Sequence, residues 1–187
     1  MKGSVQRAVF LDRDGVVVRE VDYLCQPGQL KLLRGAAQAI IRLRRAGFKV
    51  VMVTNQSGVA RGYLTLAVLR RIHLRMKRFL AAQGAKLDAL YFCPHLPGTG
   101  CACRKPALGM LRQAKRRFSL DLKRSYFVGD STTDILTARR AGCEAVLVRT
   151  GKGGRDGRHR VRADKTCRDL AAAAAWIIGR GMGAGIP

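Results

Sequence analysis

The sequence predicts an α/β fold, a Rossmann-like parallel sheet with helices on both faces. Three observations carry this. Short apolar runs rich in β-branched and aromatic residues alternate with segments of helical periodicity. The runs read as buried strands, as expected where helices cover both faces of a parallel sheet. Acids, hydroxyls, amides and cations gather at the carboxyl ends of those runs, the edge where such sheets bind ligands.

The first strand, "RAVFLD" (7–12), ends in Asp12-Arg13-Asp14-Gly15. Residues 15–34 break the alternation and read as an insertion, a small hairpin beside the strand end. "GAAQAIIRLRRAG" (35–47) puts Ala36, Ile40 and Leu43 on one helical face and stops at Gly47. The second strand, "FKVVMVT" (48–54), runs into Asn55-Gln56-Ser57-Gly58. A long helix over 65–84 is opened by the capping residue Thr65 and closed by Gly84. The third strand, "DALYFC" (88–93), leads into a Cys/His segment, and Pro106 opens a helix over 107–118. "RSYFVGD" (124–130) ends in Gly129-Asp130, a helix over 132–142 stops at Gly142, and "EAVLVRT" (144–150) is the last strand. The chain reads as one domain over 1–187, with about 154–187 a basic, Gly-rich C-terminal extension carrying one helix at 168–179.

Thirty-six Lys and Arg against 12 Asp and Glu give a net charge of +24, a balance that favours anionic partners. The cations are spread along polar helix faces, which argues for a solvated surface over a nucleic-acid face. An aromatic content of 6% leaves little for base stacking. The apolar stretch at 171–179 is far shorter than the ~20 residues of a membrane span, and the N-terminal apolar run is too short for a signal peptide. Six unevenly spaced cysteines, the closest of them metal-like, point to a reducing cytoplasm. A monomer without a membrane partner is expected.

Asp12 and Asp14, one residue apart at a strand end, share a cleft and repel each other unless a cation lies between them. Mg²⁺, which prefers oxygen ligands, would resolve the repulsion, and Asp130 is placed to complete its site with Asp12 and the Asp14 carbonyl. One aspartate would then attack phosphorus while the other moves the proton. The same spacing also suits an exposed Asp-Gly turn. Thr54 and the amides of 55–57 can hold a phosphate oxygen, and Arg61 can clamp a second anionic group. Asp134 reads as a first-turn residue complementing its helix dipole. Cys93, His95, Cys101 and Cys103 supply three thiolates and an imidazole, a set suited to closed tetrahedral Zn²⁺ with a structural role. That loop would present Arg104 and Lys105 to the cleft, where Lys105 can neutralise a transferring phosphoryl group.

In this order "DRDG", "VTNQS", "RKP" and "VGDSTTD" resemble the four motifs of the haloacid dehalogenase-like phosphohydrolases. The Cys-x-His…Cys-x-Cys-Arg-Lys-Pro segment is similar to two of its branches, the D-glycero-D-manno-heptose 1,7-bisphosphate 7-phosphatases and the histidinol-phosphate phosphatases. "TNQSGVARG" and "LVRTGKG" fit the heptose branch. The resemblance covers 7–153 and implies a haloacid dehalogenase-like fold without a large cap domain. It implies Asp12 as nucleophile, Asp14 as general acid/base, and Thr54 and Lys105 on the transferring phosphate. Mg²⁺ would sit on Asp12, the Asp14 carbonyl and Asp130. Asn55, Ser57, Arg61 and Arg104 would contact the rest of a phosphorylated sugar, in the synthesis of nucleotide-activated heptose. Val16 stands where the motif usually has Thr, so a hydrogen bond is expected to be lost there.

Overall fold

A computed structural model describes residues 5–183. The strands are β1 (Ala8–Leu11), β2 (Lys49–Asn55), β3 (Ala89–Cys93), β4 (Tyr126–Gly129), β5 (Glu144–Val148) and β6 (Lys165–Cys167). The helices are α1 (Ala36–Arg45), α2 (Leu66–Ala82), α3 (Gly109–Phe118), α4 (Thr132–Ala141) and α5 (Leu170–Gly183). The described strands form one all-parallel sheet in the order β3-β2-β1-β4-β5-β6.

Side chains alternate across a strand, so each apolar run feeds two cores. Val9 and Leu11 of β1, Val50 and Met52 of β2 and Tyr126 and Val128 of β4 join the core under α1, α2 and α5. Phe10, Val51, Val53 and Phe127 point the other way and pack under α3 and α4. The register Val9↔Val50, Phe10↔Val51 and Leu11↔Met52 keeps both sets aligned, since a slip by one residue would exchange the faces. β6 and the helix that follows it lie within the segment read as an extension. β6 borders β5, and α5 packs along α1.

The chain builds outwards from β1 to β3, then returns to the other side of β1 with β4. The direction reverses between β1 and β4, and a crevice opens at the carboxyl ends of such a pair. Asp12 and Asp130 directly follow these two strands. No separate cap domain stands over this edge among the described residues. The insertion at 15–34 contains no named strand. It closes on a single Val18↔Leu32 bridge, reinforced by Arg19 N–H to the Lys31 carbonyl (2.9 Å) and Leu33 N–H to the Val17 carbonyl (3.0 Å). Its valines are the reason: Val16, Val17 and Val18 are all fully buried in the core, so consecutive side chains pack inwards where a hairpin would alternate. An apolar side chain suits position 16 in this setting.

Candidate active site

The switch-point cleft has a volume of about 330 Å³. Lys105, only 4% exposed, places its ammonium 2.9 Å from Asp12 Oδ1 and 2.6 Å from Asp134 Oδ1. Burial opposes the charge on Lys105, but the Asp12 and Asp134 carboxylates outweigh it and hold its pKa above the ordinary value. Arg13 N–H also donates to Asp12 Oδ1 at 2.7 Å, so that oxygen is doubly engaged and Oδ2 remains for chemistry. Burial pushes Asp12 up to about 6, with Lys105 pulling it down and Asp134 and Asp14 adding to the rise. Burial likewise pushes Asp130 up to about 8, with repulsion from Asp12 and Asp134.

Asp14 turns its carboxylate to other partners. Arg13 donates to it from Nε and a terminal nitrogen at 2.9 Å each, and Gln56 Nε2 donates at 2.9 Å. Gln56 also donates to Thr54 Oγ1 at 2.8 Å, which ties the ends of β1 and β2 together. Asn55 makes a matched pair of bonds with the Lys105 backbone, donating to its carbonyl (3.1 Å) and accepting from its N–H (3.0 Å). Thr54 is buried, Ser57 and Arg104 line the cleft, and Arg61 is exposed outside its wall.

Asp12, Asp130 and Asp134 bring carboxylate oxygens within 4.8 Å of one another. Asp134 is spent: Oδ1 takes Lys105, and Oδ2 accepts from Ser131 Oγ (2.6 Å) and N–H (3.2 Å). Asp12 and Asp130 therefore remain as hard oxygen donors, a set that fits Mg²⁺ together with the Asp14 carbonyl. The backbone is shaped around Asp130. Gly15 (φ +74°) and Gly151 (φ +61°) both lie where a Cβ would overlap its carboxylate.

The second cluster stands beside the cleft. Cys93 Sγ lies 3.5 Å from His95 Nδ1 and 3.6 Å from Cys101 Sγ; Cys103 Sγ lies 3.3 Å and 3.6 Å from the same two atoms. Tetrahedral zinc with Zn–S bonds of about 2.3 Å has S···S edges of roughly 3.8 Å, so the four ligand atoms are already spaced for it. Arg104 donates to the His95 carbonyl at 3.0 Å, which anchors its side chain to this loop.

Comparison with known proteins agrees with this geometry. Residues 102–173 match the HAD-hydrolase-like family model. The chain is 44% identical to the D-glycero-beta-D-manno-heptose-1,7-bisphosphate 7-phosphatase of Bordetella bronchiseptica, over 92% of this chain and 98% of that protein. It is 46% identical to the D-glycero-D-manno-heptose-1,7-bisphosphate 7-phosphatase of Thermosynechococcus vestitus, over 91% and 94% of the two chains. The chain belongs to the heptose-1,7-bisphosphate 7-phosphatase family of HAD-like hydrolases. The crystal structure of the B. bronchiseptica D,D-heptose 1,7-bisphosphate phosphatase, complexed with magnesium and phosphate, superposes with a TM-score of 0.87. That match has 43% identity and covers 94% of this chain and 99% of that one.

Within this family member several cleft residues escape a motif reading. Arg13 is 1% exposed and reaches both Asp14 and, at 3.3 Å, His73 Nε2 of α2. Its place between the two aspartates was the available signal; His73, 60 residues away, offered none. Asp134 stands in the first turn of α4 as expected, and it also forms a capping box with Ser131 and holds Lys105. Glu20 of the insertion lines the cleft, and burial with the Asp14 charge pushes it up to about 7. Lys152, within the "LVRTGKG" stretch but given no role by it, lines the cleft together with Asp156 and Arg158.

Proposed function

We propose that the chain removes the 7-phosphate of D-glycero-D-manno-heptose 1,7-bisphosphate as a Mg²⁺-dependent phosphomonoesterase. The observation that carries this is Asp12 at the β1–β4 switch point with one oxygen held by Lys105 and the other available, in a chain whose relatives bear that name.

Asp12 Oδ2 attacks phosphorus as the P–O bond to the sugar breaks, giving an aspartyl-phosphate. Asp14, oriented by Arg13 and Gln56, gives its proton to the leaving sugar oxygen. It then takes a proton from the water that attacks the aspartyl-phosphate, which frees inorganic phosphate and restores Asp12. Lys105 and Thr54 hold the phosphoryl oxygens; Asn55 acts through Lys105 by fixing its backbone. Ser57, Arg61 and Arg104 serve the rest of the sugar. Asp12, Asp130 and the Asp14 carbonyl would hold Mg²⁺, which supplies positive charge against the transferring phosphoryl group. Cys93, His95, Cys101 and Cys103 would hold Zn²⁺ as a structural staple of their loop.

The chain acts as one phosphatase domain, supported by a single sheet that joins all its described strands. It acts in the cytoplasm, supported by six free cysteines. No helix among the described residues is long and apolar enough to cross a membrane. Phosphate release from the heptose bisphosphate, with Mg²⁺, tests the assignment. Asp12→Asn should lower the rate at least about a thousandfold; a variant within tenfold of the parent would remove Asp12 from the mechanism.

A further inference from the structure

α2 carries Arg70, Arg71, Arg75, Lys77 and Arg78 and no acid. All five cations are exposed, and among the described residues none of them forms an ion pair. A solvated helix face ordinarily mixes signs, because like charges three or four residues apart destabilise the helix. Arg71 and Arg75, and Arg75 and Arg78, are such pairs here. The helix is held by its other face, where Leu69, Ile72, Met76 and Leu80 are buried in the core.

Exposed apolar side chains gather on the same element. Leu66 is 40% exposed, Leu74 49%, and Tyr63 in the turn before α2 54%. The other exposed large apolar side chains among the described residues are Val5 and Tyr23, and Tyr23 packs edge-on against Tyr63 with ring centroids 4.7 Å apart. At about 100° per residue, the outward arc of α2 has Ala67, Leu74 and Ala81 along its middle. Arg70 and Lys77 stand on one flank of that line, Arg71 and Arg78 on the other. α3, on the opposite face of the sheet, is different. Its Arg112, Lys115, Arg116 and Arg117 are exposed without an exposed large apolar side chain among them.

We infer that the outward face of α2 is a peripheral membrane surface, which binds a bilayer carrying anionic headgroups. The middle line of leucine and alanine enters the headgroup region. The flanking Arg and Lys lay their alkyl stems beside it and set their charges on lipid phosphates. A nucleic-acid face would need cations or hydrogen-bonding groups where Leu74 and the two alanines stand. The sequence reading excluded spanning segments, and a helix that lies on a bilayer needs none. The exposed apolar area is small, so binding is driven by charge and is reversible.

The test is flotation of the full chain with vesicles of phosphatidylcholine, with and without about a third phosphatidylglycerol, at about 0.05 M salt. The chain should bind the anionic vesicles at least about tenfold more tightly than the neutral ones, and should leave them as salt rises. Arg70→Gln/Arg71→Gln/Arg78→Gln should weaken binding about ten- to a hundredfold, at roughly fivefold per cation. Arg112→Gln/Arg116→Gln/Arg117→Gln removes the same charge from α3 and should weaken it less than about threefold. Leu74→Ser, which alters no charge, should weaken it about threefold or more. Each variant should keep the parental circular dichroism spectrum. No preference for anionic vesicles overturns the inference, as does an equal loss in the two triple variants, which would assign binding to the overall charge. Parental binding by Leu74→Ser overturns it too. Duplex DNA binding that falls in the α2 triple variant while vesicle binding does not would instead make the face one for nucleic acid.

Discussion

At the residue scale, the site depends on side chains that have surrendered their freedom to one another. Lys105 sits between two carboxylates, and Asp134 has both oxygens engaged, so a motif position also acts as a mount. Arg13 mounts Asp14 and rests on His73, which packs its ring 5.5 Å from Phe92. Burial, then the Arg13 and Lys77 charges, push His73 down to about 3, so it stays neutral in the fold. In the unfolded chain it takes a proton near its ordinary 6.5. Between these values the unfolded state binds the extra proton, and stability falls as pH drops below about 6.5, by up to about 1.4 kcal/mol per unit. His73→Gln should flatten the acid limb of a urea-unfolding profile by that slope; parallel profiles would mean that His73 titrates in the fold. The positions of the aspartates and Thr54 were legible because strand ends bring them together, and that of Lys105 because the Cys/His loop leads to the cleft. The Arg13–His73 contact was not, because only the packing of α2 on the sheet creates it.

Elements show the same division. Two helix caps read from sequence are present: Thr65 Oγ1 accepts from Val68 N–H at 3.2 Å, and Gly142 takes φ +75° after α4. Pro106 does not open α3, which begins at Gly109 with Leu108 as its N-cap. β6 was missed because its three residues, Lys165, Thr166 and Cys167, have no apolar run; two are exposed, and only pairing with β5 makes them a strand. The insertion, expected as a small hairpin, pairs antiparallel only around the Val18↔Leu32 bridge, and its three valines face the core. The Cys/His loop was legible from ligand type and spacing alone. Because it carries Arg104 and leads into Lys105, losing zinc should harm substrate use as well as folding. Elemental analysis should find one Zn per chain. Cys101→Ser should lose it, with a lower melting temperature and a KM raised several-fold that added Mg²⁺ does not restore. Full zinc or unchanged kinetics in that variant would separate the loop from the site.

For the whole molecule, the surplus of 36 basic over 12 acidic residues has a kinetic consequence. The field steers a substrate with two phosphates, and salt screens it. Raising ionic strength from about 0.05 to 0.3 M should lower kcat/KM for the bisphosphate while leaving kcat nearly constant. A kcat/KM indifferent to salt would show that the exposed cations do not reach the cleft. The charge was visible in composition, but which of its cations stand beside the cleft was not. Arg104, Arg140 and Arg158 come from three separate segments, and the topology alone makes them neighbours. The central claim is the identity of the phosphate ester. Its most direct test compares phosphate release from D-glycero-D-manno-heptose 1,7-bisphosphate and from histidinol phosphate, with Mg²⁺ present. The account predicts one phosphate released per heptose bisphosphate, with kcat/KM at least tenfold above that for histidinol phosphate. Equal use of the two esters, or a preference for histidinol phosphate, would contradict it.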